Sequence, residues 1–441
     1  MDKKALSVAV ALAAVAAPST TLASSFQLLE QSPAHLGKAF AGTASDIVDA
    51  STVYFNPAGM ARLDRASLTL GGNLVSTEAR FIDEGSTFPG EGGETDETGF
   101  IPNAYLVLPL EGGFSVGFGA GGPFGLSSDF DDQWPGRYSA TFSELEVMNL
   151  NATSAWAPND KVAFGLGVNY QRMDVTLENQ VDSTLGVAPD PATDSSARIE
   201  GDDDDFVFDA SVLWTPVPGT NIGLVWRQGG SFSAEGSAAF DYNATCAPGE
   251  GYPTGAPPAP TTGTICAQTL STLEGPVVAD ADLPDTLTAS ISHRLNDLWS
   301  VHADIAQTNW SSIQNIAVIN TDNQQTVDVL DLQYDDTLRV ALGATYRHSD
   351  ELTWRFGVAQ DESPQTDPEY VTPRIPDQDR TWFAVGANWA LSENASVDVS
   401  YAQLMIDDAN LHEVDETSGR ELQGGFDNEV SILAAQWNWQ F

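Results

Sequence analysis

The chain has 441 residues, 62 acidic against 18 basic, and a formal net charge of −44. That balance excludes bulk electrostatic binding of nucleic acid, which needs basic patches, and fits a surface whose self-repulsion is screened by a salty medium. No apolar run reaches the roughly 20 residues of a spanning helix, so a membrane could be crossed only by strands.

Residues 1–23 read as a secretory signal: Lys3-Lys4, a short apolar run from Leu6 to Ala17, and a small-residue cleavage site at Thr21-Leu22-Ala23. The next stretch, Ser25 to Met60, does not repeat and is unlike everything after it. From Ala66 onward the period is two. Trp299, Val301, Ala303 and Ile305 alternate with Ser300, His302 and Asp304; Leu352, Trp354, Phe356 and Val358 alternate with Thr353, Arg355 and Gly357. Strict alternation puts each set on one face of a strand. One face is continuously apolar, the other carries Gly, Ser, Asn, Asp, His and Arg, and strands end in Trp or Tyr. Apolar outside, polar inside and aromatic at the interfaces is the pattern of a transmembrane β-barrel. Lipid offers no partner for free backbone groups, so such a sheet must close.

Fourteen strands are expected, near 66–79, 100–110, 113–122, 143–156, 161–178, 206–215, 220–240, 284–295, 298–314, 336–348, 351–361, 379–391, 394–408 and 425–441. An even number suits an antiparallel barrel with both ends on the periplasmic side. Short connections such as Leu110-Glu111-Gly112, Pro216-Val217-Pro218-Gly219 and Asn296-Asp297 read as periplasmic turns. Long ones near 80–99, 123–142, 179–205, 241–283, 315–335, 362–378 and 409–424 read as outer loops. The expected domains are thus a signal peptide at 1–23, an N-terminal segment at 24–65 and a barrel at 66–441.

Three local features stand out. The run Gly117-Phe118-Gly119-Ala120-Gly121-Gly122-Pro123-Phe124-Gly125 predicts an irregular strand. Glycines allow a bulge and proline removes a ladder donor, so Gly119, Gly121, Gly122 and Pro123 mark either a kink in the wall or a strand ending in a loop. The run Asp202-Asp203-Asp204-Asp205, in an expected outer loop, is a solvated charge run whose oxygens are also of the kind that ligate Ca²⁺. Cys246 and Cys266, the only cysteines, lie in a Pro/Gly/Thr-rich stretch of a secreted chain. A disulfide closing that loop is expected; with no histidine nearby, a metal site is not.

Several collinear stretches resemble the FadL family, outer-membrane transporters of long-chain fatty acids and other hydrophobic compounds. They are Ser25-Phe26-Gln27-Leu28, Leu36-Gly37-Lys38-Ala39-Phe40-Ala41-Gly42, Asn56-Pro57-Ala58, Met148-Asn149-Leu150-Asn151, Phe164-Gly165-Leu166-Gly167, Arg339-Val340-Ala341-Leu342-Gly343, Asp361-Glu362-Ser363-Pro364 and Ile375-Pro376-Asp377-Gln378-Asp379-Arg380. The resemblance implies an all-β fold: a fourteen-stranded antiparallel barrel in the outer membrane of a Gram-negative bacterium, with an N-terminal helical hatch in its lumen. Asn56, Pro57 and Ala58 would form the hatch motif. Ligand would land among the outer loops, where Phe130, Trp134 and Tyr138 fall. It would pass to a pocket beside Phe26 and Leu28, then leave sideways near a kinked third strand carrying Phe118 and Phe124.

One departure bears on the ligand. Where fatty-acid-binding members carry basic side chains, this chain has Asn179 and Leu330. Arg172 and Arg380, on or beside strands, are candidate substitutes because a buried carboxylate needs a partner. The expected function is passive uptake of long-chain fatty acids by a monomer in contact with outer-membrane lipid, with no cofactor and no nucleic acid. A channel for neutral hydrocarbons or monoaromatics is the alternative. A lipase is a rival that would need a serine–histidine pair; there are five histidines but no Gly-x-Ser-x-Gly elbow. A general porin would need an unplugged lumen.

Overall fold

The computed structural model describes residues 25–88, 90–256, 259–415 and 420–441; the predicted signal peptide lies outside them. The strands are β1 (Ser67–Asp83), β2 (Glu94–Pro109), β3 (Phe114–Asp129), β4 (Phe142–Asn159), β5 (Val162–Val181) and β6 (Ser195–Val217). Four of the next five are broken once along their length. They are β7 (Thr220–Arg227 and Ser231–Asp241), β8 (Gly275–Asp282 and Thr286–Arg294), β9 (Trp299–Thr308 and Asn315–Asn320) and β10 (Thr326–Asp331 and Thr337–Arg347), followed by the unbroken β11 (Leu352–Asp361). The series ends with β12 (Arg380–Ser392), β13 (Ala395–Ile406 and Ala409–Asp415) and β14 (Arg420–Gln440). Neighbours pair antiparallel, and β14 returns to β1 from Ser67 opposite Gln440 to Asp83 opposite Gly424. The result is a closed fourteen-stranded barrel. Among the described residues no helix is long and apolar enough to cross a membrane.

The alternation reads directly onto the wall. Leu166, Leu342, Phe356 and Leu433 are exposed outside, while Asn73, Asn169, Asp304 and Asp398 are buried inside. That is the arrangement a lipid exterior demands.

Several expected outer loops are instead strand. Within the predicted loops at 80–99, 179–205, 315–335 and 409–424, residues 80–83, 94–99, 179–181, 195–205, 315–320, 326–331, 409–415 and 420–424 are strand, as the ladders continue above the bilayer. There neither face meets lipid, so alternation fades although each backbone group still needs a partner. The Asp202–Asp205 run is corrected in the same way: it lies within β6. Asp203 and Asp205 accept the amides of Ser233 (2.6 Å) and Ser231 (2.9 Å), and Asp202 pairs with Arg172 at 2.9 Å. No group of three or more His, Cys, Asp or Glu among the described residues could hold a metal ion. The 242–274 excursion carries the disulfide Cys246–Cys266 and a helix, Thr262–Leu273.

Residues 25–65 fill the lumen as short pieces, Pro33–Leu36 and Thr52–Phe55 with a 3-10 turn at Pro57–Arg62. The Asn56-Pro57-Ala58 motif builds that turn. Asn56 Oδ1 accepts the Ala58 amide (3.0 Å), the usual N-cap role, with proline at the first position where its missing N–H costs nothing. The same amide meets Ser211 Oγ at 3.0 Å, tying the hatch to β6. The Thr43–Asp304 bond (2.7 Å), Arg339 Nη2 donating to Ala39 O (2.7 Å) and Gln436 Nε2 donating to Asp49 Oδ2 (2.6 Å) tie the rest to the wall, while the ion pairs Lys38–Asp46 within the hatch and Arg355–Asp398 on the facing wall neutralise the charges between them.

The hatch approaches the wall closely because the facing residues are small. A Cβ on Gly386 would lie 2.9 Å from the Gly37 Cα. Gly386→Val should loosen the hatch by about 1–3 kcal/mol, the usual cost of overpacking, while the barrel stays heat-modifiable on a gel. Limited proteolysis provides the check: cuts within 25–65 should appear in the variant alone, and a resistant variant would refute this packing account.

Candidate functional site

The wall opens between β2 and β3. The β2–β3 ladder runs only from Pro109 opposite Ser115 to Ala104 opposite Ala120. Just beyond, the register of β3 against β4 shifts between Gly121 and Phe124. Two glycines tolerate the bend and Pro123 has no amide to leave unbonded. Above the bend β2 and β3 part, and the Asp129 amide meets Thr95 Oγ1 at 3.2 Å near the upper end of the opening. Asn103, on β2 beside the opening, is buried with neither side-chain polar atom partnered.

The edge of β3 that β2 abandons is taken by the hatch. Leu28 N donates to Pro123 O (2.8 Å), Gly125 N donates to Phe26 O (2.9 Å), and Gln27 bridges to Phe124. Gln31 Nε2 adds a bond to Gly122 O (2.6 Å). Residues 26–28 thus act as a short substitute strand. Their outer end is clamped: Ser25 N donates to Asp377 Oδ2 and Ser25 Oγ to Tyr334 Oη, both at 2.8 Å.

The Phe26 ring bounds an apolar cavity walled by Met173, Val175, Ile199, Val318 and Leu332 among others. Phe26 packs edge-on against Trp310 (centroids 4.9 Å) and 6.0 Å from Phe124, and Trp310 packs edge-on against Tyr334. Above lies a second, more polar space among the outer connections, bordered by Phe88, Tyr138, Asn179, Tyr370 and Arg420. Asp328, Leu330 and Arg374 line both spaces and form the neck between them. Burial lowers the Arg374 pKa, against the pull of Asp328; a guanidinium nevertheless stays charged. Burial and the adjacent Asp194 carboxylate raise that of Tyr138.

The ligand-binding residues expected from sequence are distributed unevenly. Phe26 lines the cavity and Phe124 packs beside it. Tyr138 and Asn179 border the outer space. Leu28 contributes its backbone to the β3 edge while its side chain packs with Leu36 and Phe40. Phe130 and Trp134 stack at 4.6 Å inside an apolar cluster with Phe81 of β1 and Phe426 of β14, and neither lines either space. Arg380 is buried in an ion pair with Asp377 below the clamp. Two expectations are corrected outright. Phe118 is 43% exposed on the outer wall, because its parity in β3 points it at lipid. Arg172 also points outward, between Asp174 (3.2 Å) and Asp202 (2.9 Å). The sequence reading missed Trp310, Tyr334 and Arg374. Arg374 stands directly before the Ile375–Arg380 motif, a signal that was available; Trp310 sits where β9 breaks, which alternation does not reveal.

The family model described as "Outer membrane protein transport protein (OMPP1/FadL/TodX)" matches residues 13–441. Outer membrane protein P1 of Haemophilus influenzae is 30% identical over 411 residues, covering 89% of this chain and 88% of that protein. The long-chain fatty acid transport protein of Escherichia coli strain K12 is 28% identical, covering 93% of each chain. Among solved structures, a Pseudomonas aeruginosa FadL homologue superposes with a TM-score of 0.83 at 21% identity, over 95% of this chain and all of that one. The Pseudomonas putida toluene transporter TodX gives 0.65 at 15% identity, over 92% of this chain and 99% of that one.

Phe26→Ala should undock residues 25–28, since truncating a buried phenylalanine costs about 3–5 kcal/mol. A cysteine introduced at Gln27 reports on this: maleimide labelling should be faster in the Phe26→Ala background. Equal labelling rates would mean that the backbone bonds to β3 hold the segment without the ring.

Proposed function

The chain belongs to the OMPP1/FadL/TodX family of outer-membrane transport proteins, and from that premise we propose that it carries long-chain fatty acids passively as a monomer. It is a multi-pass barrel of the Gram-negative outer membrane, and its family members are transport channels for hydrophobic compounds rather than enzymes. The observation that carries the proposal is the position of Phe26. One hatch segment forms both a wall of the apolar cavity and the partner of the β3 edge left free by β2.

A ligand enters among the outer connections and passes Asp328, Leu330 and Arg374. It then buries its chain against the cavity wall, gaining ~25 cal/mol per Å² of apolar surface. Residues 26–28 hold the β3 edge through two main-chain bonds and one ring contact cluster. Their withdrawal joins the cavity to the opening between β2 and β3, through which the ligand reaches the bilayer. Diffusion down a gradient suffices. A second reading, uptake of neutral hydrocarbons or monoaromatics, draws support from the apolar cavity wall and from the uncharged Asn179 and Leu330.

Uptake into liposomes containing the purified protein separates the two: oleate should be taken up in preference to toluene or an alkane, and the reverse order would sink the fatty-acid reading. Deleting Ser25-Phe26-Gln27 should cut uptake while the barrel remains heat-modifiable. Unchanged uptake would make the hatch a plug without a part in gating.

A further inference from the structure

Granted the transport reading above, we propose that Arg374 reads the carboxylate of the ligand, and that Asp328 is the counter-ion the carboxylate displaces. Three observations carry this. First, among the described residues Arg374 is the one basic side chain lining the apolar cavity, and it also borders the outer space. A ligand moving between the two passes it.

Second, the guanidinium is positioned by fixed acceptors on one side only. Nη1 donates to Phe142 O (3.1 Å), Ser143 Oγ (3.1 Å) and Glu178 O (3.3 Å). Two of these are main-chain carbonyls of paired strands β4 and β5, so the fork is held before any ligand arrives. Nη2 faces Asp328 Oδ2 at 4.0 Å, beyond hydrogen-bond distance. The Arg374 side chain is only 3% exposed. Glu413 is the second acid that pulls on this guanidinium, and the only ion-pair contact of Arg374 among the described residues is the 4.0 Å one to Asp328, a weak return for burying a charge. A carboxylate arriving at Nη2 would supply the short charge-assisted bond now missing.

Third, the two partners differ in what leaving the pair costs. Asp328 is 38% exposed, with Oδ1 accepting the Val329 amide (2.9 Å). It can turn to water cheaply. The cavity's other charged lining residues, Glu144 and Glu200, repel a carboxylate, so the head group is kept at the neck. Ligand therefore sits with its tail toward Phe26 and its head at Arg374.

The test compares binding of oleate and oleyl alcohol, which share a tail and differ in head-group charge, to the purified full-length protein. Arg374→Gln should weaken oleate by about ten- to hundredfold, the scale of a lost charged hydrogen bond, and leave oleyl alcohol within about twofold. Arg374→Lys should recover part of the oleate affinity. Asp328→Asn keeps the guanidinium in place and should tighten oleate alone. Equal loss of both ligands in Arg374→Gln, or no effect of Asp328→Asn on oleate, would overturn the assignment and leave transport standing. Failure of the wild-type protein to bind either ligand would overturn the transport reading and the assignment with it.

Discussion

A strand in lipid must have its backbone donors and acceptors bonded, because no water is present to take them. That constraint closes β14 onto β1 and governs the rest of this molecule. It makes the opening between β2 and β3 a place where the rule has to be met by other means. Above Ala120 the edge of β3 loses β2, and Leu28 N and Phe26 O complete its bonds from inside the lumen. The barrel wall therefore borrows a piece of its own hatch, and wall and hatch cannot move independently there.

The same borrowing links the opening to the cavity. The backbone of Phe26 serves the wall and its ring serves the cavity. A ligand that presses on the ring acts on the strand edge through a single residue. The clamp at Ser25, by Tyr334 and Asp377, extends this coupling to β10 and to the connection before β12. Aromatic contacts at Trp310 give the assembly a rigid back.

Charge is distributed with similar economy. The net −44 is spread over the outer strands and connections, where water and salt screen it. Inside, charges are few and mostly paired, as with Arg355–Asp398, Lys38–Asp46 and Arg380–Asp377. Arg374 with Asp328 is set apart by its place at the neck between the two spaces.

The period-two pattern by itself determined the barrel, its fourteen strands and which face meets lipid, because a bilayer imposes one solvent on one face of every strand. The glycines and proline at 119–123 gave the site of the kink, since only backbone chemistry was needed to see it. Above the membrane the pattern failed: Asp202–Asp205 read as a loop although its backbone is paired in β6. The site residues divided by range. Phe26 was legible from its motif. Phe118 was misplaced because two flanking glycines hide the parity of β3, and Arg172 because a charge on a strand looks alike on either face. Trp310, Tyr334 and Arg374 lie in the break between the two parts of β9, in the connection between the two parts of β10, and in the connection between β11 and β12. Only closure of the barrel brings them to Phe26 and to one another, and no local pattern records which residues a closed sheet sets face to face across its lumen.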